Sequence, residues 1–88
     1  MALWGADIGQ LRQLSSQLNQ KAGEIESVLT TLTNALANTN WEGPDAIAFR
    51  NEWSGQHTSA LRQVANALRE AGTKAAQNAS AQESTSSN

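Results

Sequence analysis

Apolar residues recur on alternating steps of three and four through the first half of the chain. The series is Ile8, Leu11, Leu18, Ala22, Ile25, Leu29, Leu32 and Leu36, with Ser15 at the one position where it calls for an apolar residue. Spacing of this kind places the apolar side chains on one face of an α-helix and is a heptad seam sustained over four repeats. Leu14, Val28 and Ala35 widen the stripe beyond a two-stranded seam, which suits a helical bundle. Asp7 with Gln10 three residues on forms a capping-box signature, so a helix is expected over about 7–38.

The pattern stops at Asn38-Thr39-Asn40-Trp41-Glu42-Gly43-Pro44. Asn and Gly ahead of Pro signal a stop and a restart, and Pro44 fits the first position of a new helix because its missing N–H has no helical partner there. Asp45 sets a negative charge in the first turn, where the helix dipole favours it. A second stripe follows: Phe49, Trp53, His57, Leu61, Val64, Leu68, Ala71 and Ala75, flanked by Ala46, Ile47, Ala60, Ala65 and Ala67. It predicts a helix over about 44–77, with 39–43 as the turn. From Asn78 to Asn88 the residues are small and polar, and the reading there is a disordered tail.

No strand pattern is present, so the fold class is all-α. Each helix would be about 50 Å long at ~1.5 Å per residue, and a short turn forces the two to run antiparallel. One hairpin covers a single stripe per helix and leaves the flanking apolar residues wet. The expectation is an antiparallel helix-turn-helix hairpin that dimerises into a four-helix bundle. The interface of hairpin and dimer is assigned to Leu11, Leu18, Ile25, Leu29, Leu32, Leu36, Phe49, Trp53, Leu61, Val64 and Leu68.

Composition narrows the chemistry. At 88 residues the chain is one domain with a thin core. It has no Cys and one His, so neither a disulfide nor a structural zinc site is expected as a staple, and oligomerisation remains. Six cations and eight anions give a net charge of −2, and the cations form no cluster, which argues against nucleic-acid binding through phosphate neutralisation. His57, the only His, falls among packing residues and reads as the edge of a helix interface, with a pH-sensitive interface contact as the sharper alternative. Glu24 and Glu26 point to different helix faces and do not form an acid–base pair, and no Gly-rich phosphate loop is present. The chain is therefore read as non-enzymatic, with no metal and no cofactor.

No segment approaches the ~20 apolar residues of a membrane span. The polar faces carry Gln, Asn and Ser rather than the Lys and Arg of membrane-surface helices, so helix–helix packing is the better use of the stripes. The start, Met-Ala-Leu-Trp-Gly-Ala-Asp, has no basic residue, no long apolar run and no cleavage site, and is read as lacking a signal peptide.

The aromatic residues are few and placed tellingly. Trp41 lies in the turn two residues before Gly43, and Phe49 and Trp53 form a ridge at helical spacing. Trp41-Glu42-Gly43 midway between two heptad helices, in a chain of this length, resembles the WXG family, small proteins similar to early-secreted antigens and exported by type VII secretion systems. The resemblance covers roughly residues 5 to 80. It implies a hairpin that pairs with a homologous hairpin, as homodimer or heterodimer, with Trp41 and Gly43 as the turn and secretion motif. It further implies that the pair is cytoplasmic before export, that an ATPase-driven machine exports it folded and without a cleavable signal, and that it acts outside the cell as an effector or as an export partner. Family members that carry the export signal place a Tyr late in the second helix and an acidic residue four positions on. Register through Leu68-Arg69-Glu70-Ala71-Gly72 sets these at Ala75 and Ala79, and the chain has no Tyr at all. It is thus expected either to be the signal-less member of a pair or to be a homodimer with a different signal. The alternative to a secreted protein is a cytosolic helical adaptor or chaperone for a larger toxin or WXG substrate.

Overall fold

Residues 7–87 are described by the computed structural model, with side chains to Ser84. The N-terminal residues on which the signal-peptide reading rests lie outside them. The chain forms an antiparallel helical hairpin, and the described residues contain no strand. Helix α1 spans Ile8–Asn38. The returning arm is continuous: α2 over Pro44–Glu52, a π-helical turn over Trp53–His57, and α3 over Thr58–Ser87. Asp7 caps α1 as expected, its Oδ1 accepting from the Gln10 N–H at 2.9 Å. Pro44 opens α2, and Gly43 precedes it with φ 109° and ψ 175°, a conformation essentially confined to glycine.

The expected tail is instead helix. α3 continues to Ser87, and Ala79 within it is fully buried. The sequence beyond Ala76 has no large apolar residue, but it does not need one. A small side chain suffices where the facing helix comes close, and Gln82, one turn further on, is still half-buried.

The seam between the arms differs from the apolar series in three ways. First, Ser15 is not a break in it. Ser15 is buried and donates its hydroxyl proton to the Gly72 carbonyl at 2.7 Å, across 57 residues of sequence. Second, Leu32, expected in the seam, is 42% exposed. Third, the returning arm faces α1 with Ala46 and Trp53, and then with Thr58, Leu61, Ala65, Leu68, Gly72, Ala75 and Ala79. The step from Trp53 to Thr58 is five residues, which is the extra residue of the π-helical turn. An uninterrupted series had put His57, Val64 and Ala71 inside; the π turn rotates them out, and Val64 is 47% exposed. Ser54 and Thr58 support this turn by donating to the Arg50 and Ser54 carbonyls at 3.0 and 3.1 Å.

The result is a rod one layer thick. Its Cα extents are 66 × 18 × 13 Å and its radius of gyration is 19.3 Å, against about 12 Å for a compact chain of this length.

Candidate functional site

The hairpin has two unlike flanks. On α1, Arg12, Asn19, Glu26 and Thr33 follow one another at seven-residue spacing along one side of the seam. They meet residues of the returning arm: Arg12 pairs with Glu83 at 3.2 Å, Arg69 forks onto Glu26 at 2.9 and 2.5 Å, and the Trp53 indole N–H donates to Thr33 Oγ1 at 3.0 Å. This flank is closed by polar partners. Arg69 draws the Glu26 carboxyl below its ordinary pKa, chiefly through their hydrogen bond, and Glu26 raises that of Arg69 by the same contact.

Across the seam lies the opposite flank. On α1 it holds Leu11, Leu18, Ile25 and Leu32, and beyond them Leu14, Lys21, Val28 and Ala35. In an antiparallel pair, like flanks meet, so its counterpart is Leu61, Leu68 and Ala75, and beyond them His57, Val64 and Ala71. Leu11, Leu18, Ile25, Leu61 and Leu68 are half-buried, while Leu14, Val28, Leu32 and Val64 are exposed. Leu29 is buried and Leu36 half-buried in the seam itself. Apart from His57, Lys21 is the only ionisable residue in these rows, and its ammonium pairs with Glu24 at 2.9 Å on the same helix.

At the turn end, this flank runs into an aromatic group. Phe49 stacks on Trp53 with ring centroids 6.3 Å apart and meets Trp41 at 6.2 Å, and His57 touches both Phe49 and Trp53 at 6.4 Å. Trp53 is the buried base of the group. Trp41 and Phe49 are 40% and 37% exposed, and His57 is exposed beside Glu52, 4.0 Å away. Trp41 is therefore only partly enclosed, between Phe49 and the Arg50 guanidinium that lies over its ring. Of the expected interface residues, the structure joins Leu29, Leu36, Trp53 and the half-buried Leu11, Leu18, Ile25, Leu61 and Leu68 in the hairpin, and sets Leu32, Val64 and Phe49 on its surface.

Sequence reasoning passed over two residues. Ser15 looked like a defect in the stripe. Arg50 looked like an ordinary surface cation, yet its guanidinium reaches back over the turn to the carbonyls of Leu36, Thr39 and Trp41. The two positions where register sets the family's export signal are seam positions here: Ala75 is 7% exposed and Ala79 is fully buried. Neither faces solvent.

Among the described residues, no cluster of His, Asp or Glu is placed to hold a metal ion, and no helix is long and apolar enough to cross a membrane. No protein-family model, curated protein or solved structure matches the chain.

Proposed function

We propose that the chain is a WXG-type binding protein, a helical hairpin that pairs through its apolar flank with a homologous hairpin to form a four-helix bundle. In this reading a type VII secretion system exports the pair folded. The carrying observation is that the exposed large apolar side chains of the two long helices, Leu14, Val28, Leu32 and Val64, all lie on one flank, while the opposite flank is closed by ion pairs; Ile47 in α2, 63% exposed, is the exception near the turn. Domains become stable by packing a second layer on the first, and this hairpin supplies one layer. Among the described residues, no large side chain is fully buried within it. Its accessible surface is 6423 Å², whereas a compact monomer of this mass has about 5,000 Å². That excess of about 1,400 Å² belongs to the rod as a whole, both flanks included; the apolar flank's share of it is the surface open to a partner, and a standard interface takes ~800 Å² from each side. A second hairpin laid on the apolar flank, near +20° to the first, covers this surface.

The Trp41-Glu42-Gly43 turn supports the family reading, since Gly43 holds a backbone conformation that explains a glycine there and Trp41 is presented outward. The burial of Ala75, where register sets the Tyr, and of Ala79, where it sets the acid, favours the signal-less role, because a side chain at either position meets the other arm and not solvent. The partner then carries the tail signal.

Export tests this reading. In a host with a type VII system, the chain expressed alone is expected to stay in the cell, and co-expression with a hairpin bearing the Tyr-and-acid tail is expected to carry it out. Efficient export of the chain alone contradicts the signal-less role. Retention in both cases contradicts the secretion reading and leaves the intracellular adaptor.

A further inference from the structure

Helix α1 ends without the usual devices. Its C-cap, Thr39, is extended at φ −94° and ψ 129°, no glycine follows in a left-handed conformation, and no basic residue lies in its last turn. The last carbonyls of a helix have no partners within it and must be met from elsewhere. Thr39 turns its own hydroxyl back to the Ala35 carbonyl at 2.6 Å. The Leu36 carbonyl is met from the other arm. Arg50 Nη2 donates to the Leu36 and Thr39 carbonyls, each at 3.0 Å, and Nη1 donates to the Trp41 carbonyl at 2.7 Å. The same guanidinium lies 5.9 Å from the centroid of the Trp41 ring, within cation–π range.

We infer that Arg50 is the positioning residue of the Trp41 turn: one forked cation caps α1, closes the turn and fixes the indole in its outward orientation against Phe49. This rests on the reading that Trp41 is part of the surface a partner meets. Three carbonyls from Leu36, Thr39 and Trp41 converge on one side chain, and only a planar fork reaches all of them from a single stem. An ammonium brings the same charge without that geometry. The turn otherwise has one internal backbone bond, from the Trp41 N–H to the Thr39 carbonyl at 3.0 Å, too little to hold an exposed indole in one place. The Arg50 carbonyl in turn receives the Ser54 hydroxyl and the Trp53 N–H at the start of the π turn.

The test is Arg50→Lys in the full chain, with ¹⁵N relaxation read at the Trp41 and Trp53 indoles and backbone, beside the thermal melt. The expected result is a local loss. Trp41 order parameters fall from about 0.85 to below about 0.6, while Trp53 keeps its order and its chemical shift and the helical signal is retained. Undiminished Trp41 order in Arg50→Lys overturns the proposal, and so does an equal loss at Trp53, which makes Arg50 a general stabiliser of the hairpin. Should Arg50→Lys melt too low to read, Arg50→Gln measured at reduced temperature serves with the same criteria. The reading beneath the proposal fails differently: if Trp41 is released in Arg50→Lys yet self-association and co-export with a tail-bearing hairpin match the unsubstituted chain, the clamp stands and Trp41 has no recognition role.

Discussion

The two ends of the hairpin hold the same pair of arms together by different means. Toward the open end the seam is built of small residues: Ser15 and Ala22 on α1 against Ala65, Gly72, Ala75 and Ala79 on α3. The arms come so close there that a Cβ added at Gly72 would sit 3.2 Å from the Ser15 carbonyl oxygen and 3.2 Å from the Asn19 amide. Toward the turn the seam is built of large residues, Leu29, Leu36 and Trp53, and the backbone is shaped by the π turn and Gly43. Close approach satisfies the open end with little apolar mass. The turn end uses bulk, and what it cannot enclose, Trp41 and Phe49, it displays. Large apolar residues are left on the flank along both halves: Leu14 beside the small-residue seam, Val28 and Leu32 beside Leu29.

The largest effect is expected at the turn end. Trp53→Ala removes the base of the aromatic group and the Nε1–Thr33 hydrogen bond, and should cost about 3–5 kcal/mol; Leu29→Ala should cost about 2–5 kcal/mol. Denaturant melts measure both, and a change under about 0.5 kcal/mol in both would put the seam elsewhere. Next comes Ser15→Leu, the residue that the apolar series itself asks for. It should destabilise by about 1–3 kcal/mol or more, because the helices must part to admit it; a stabilised variant would deny the close approach.

That reversal shows what was legible in the sequence and what was not. Period and turn chemistry gave both helices, their antiparallel return, the Asp7 cap, and the place of Trp41 and Gly43. They did not give the seam's true line. A serine at a heptad position reads as a fault until the facing glycine is known, and that glycine is 57 residues away. The π turn was illegible for a similar reason. Phe49, Trp53, His57, Leu61, Val64 and Leu68 make an unbroken series, and nothing local says that one residue is looped out after Trp53. The helical tail was missed because Ala79 carries no hydrophobic signal by itself. Arg50 was missed because its work depends on three carbonyls from the other side of the turn.

Smaller effects separate the glycines. Gly43→Ala should cost about 1–3 kcal/mol from backbone strain alone, since the space around it is open. Gly72→Ala should destabilise despite the better helix propensity of alanine, whereas Gly55→Ala, with open space and no positive φ, should stabilise by up to about 1 kcal/mol. Opposite signs at two helical glycines would confirm that the seam is tight at Gly72; equal gains would deny it. The smallest effect belongs to the polar flank. Because folding lowers the Glu26 pKa, the Arg69 pair contributes stability above the ordinary carboxylate range and loses it as pH falls through the Glu26 titration. Glu26→Gln should flatten that part of a stability–pH curve, and an unchanged curve would remove the pair from the account.

Pairing through the apolar flank is the central claim, and sedimentation equilibrium at micromolar concentration tests it most directly. The chain is run alone and after co-expression with a WXG-type hairpin bearing the Tyr-and-acid tail, next to a Val28→Glu, Val64→Glu double variant. Both valines are about half exposed on the single hairpin, so the variant should spare the hairpin's own seam. The account predicts the mass of a pair of hairpins for the unsubstituted chain in at least one preparation, with a melting temperature that rises with concentration, and collapse of the double variant to the single-chain mass of 9.4 kDa. A chain that sediments as a monomer in both preparations, and melts cooperatively at a concentration-independent temperature, would contradict it.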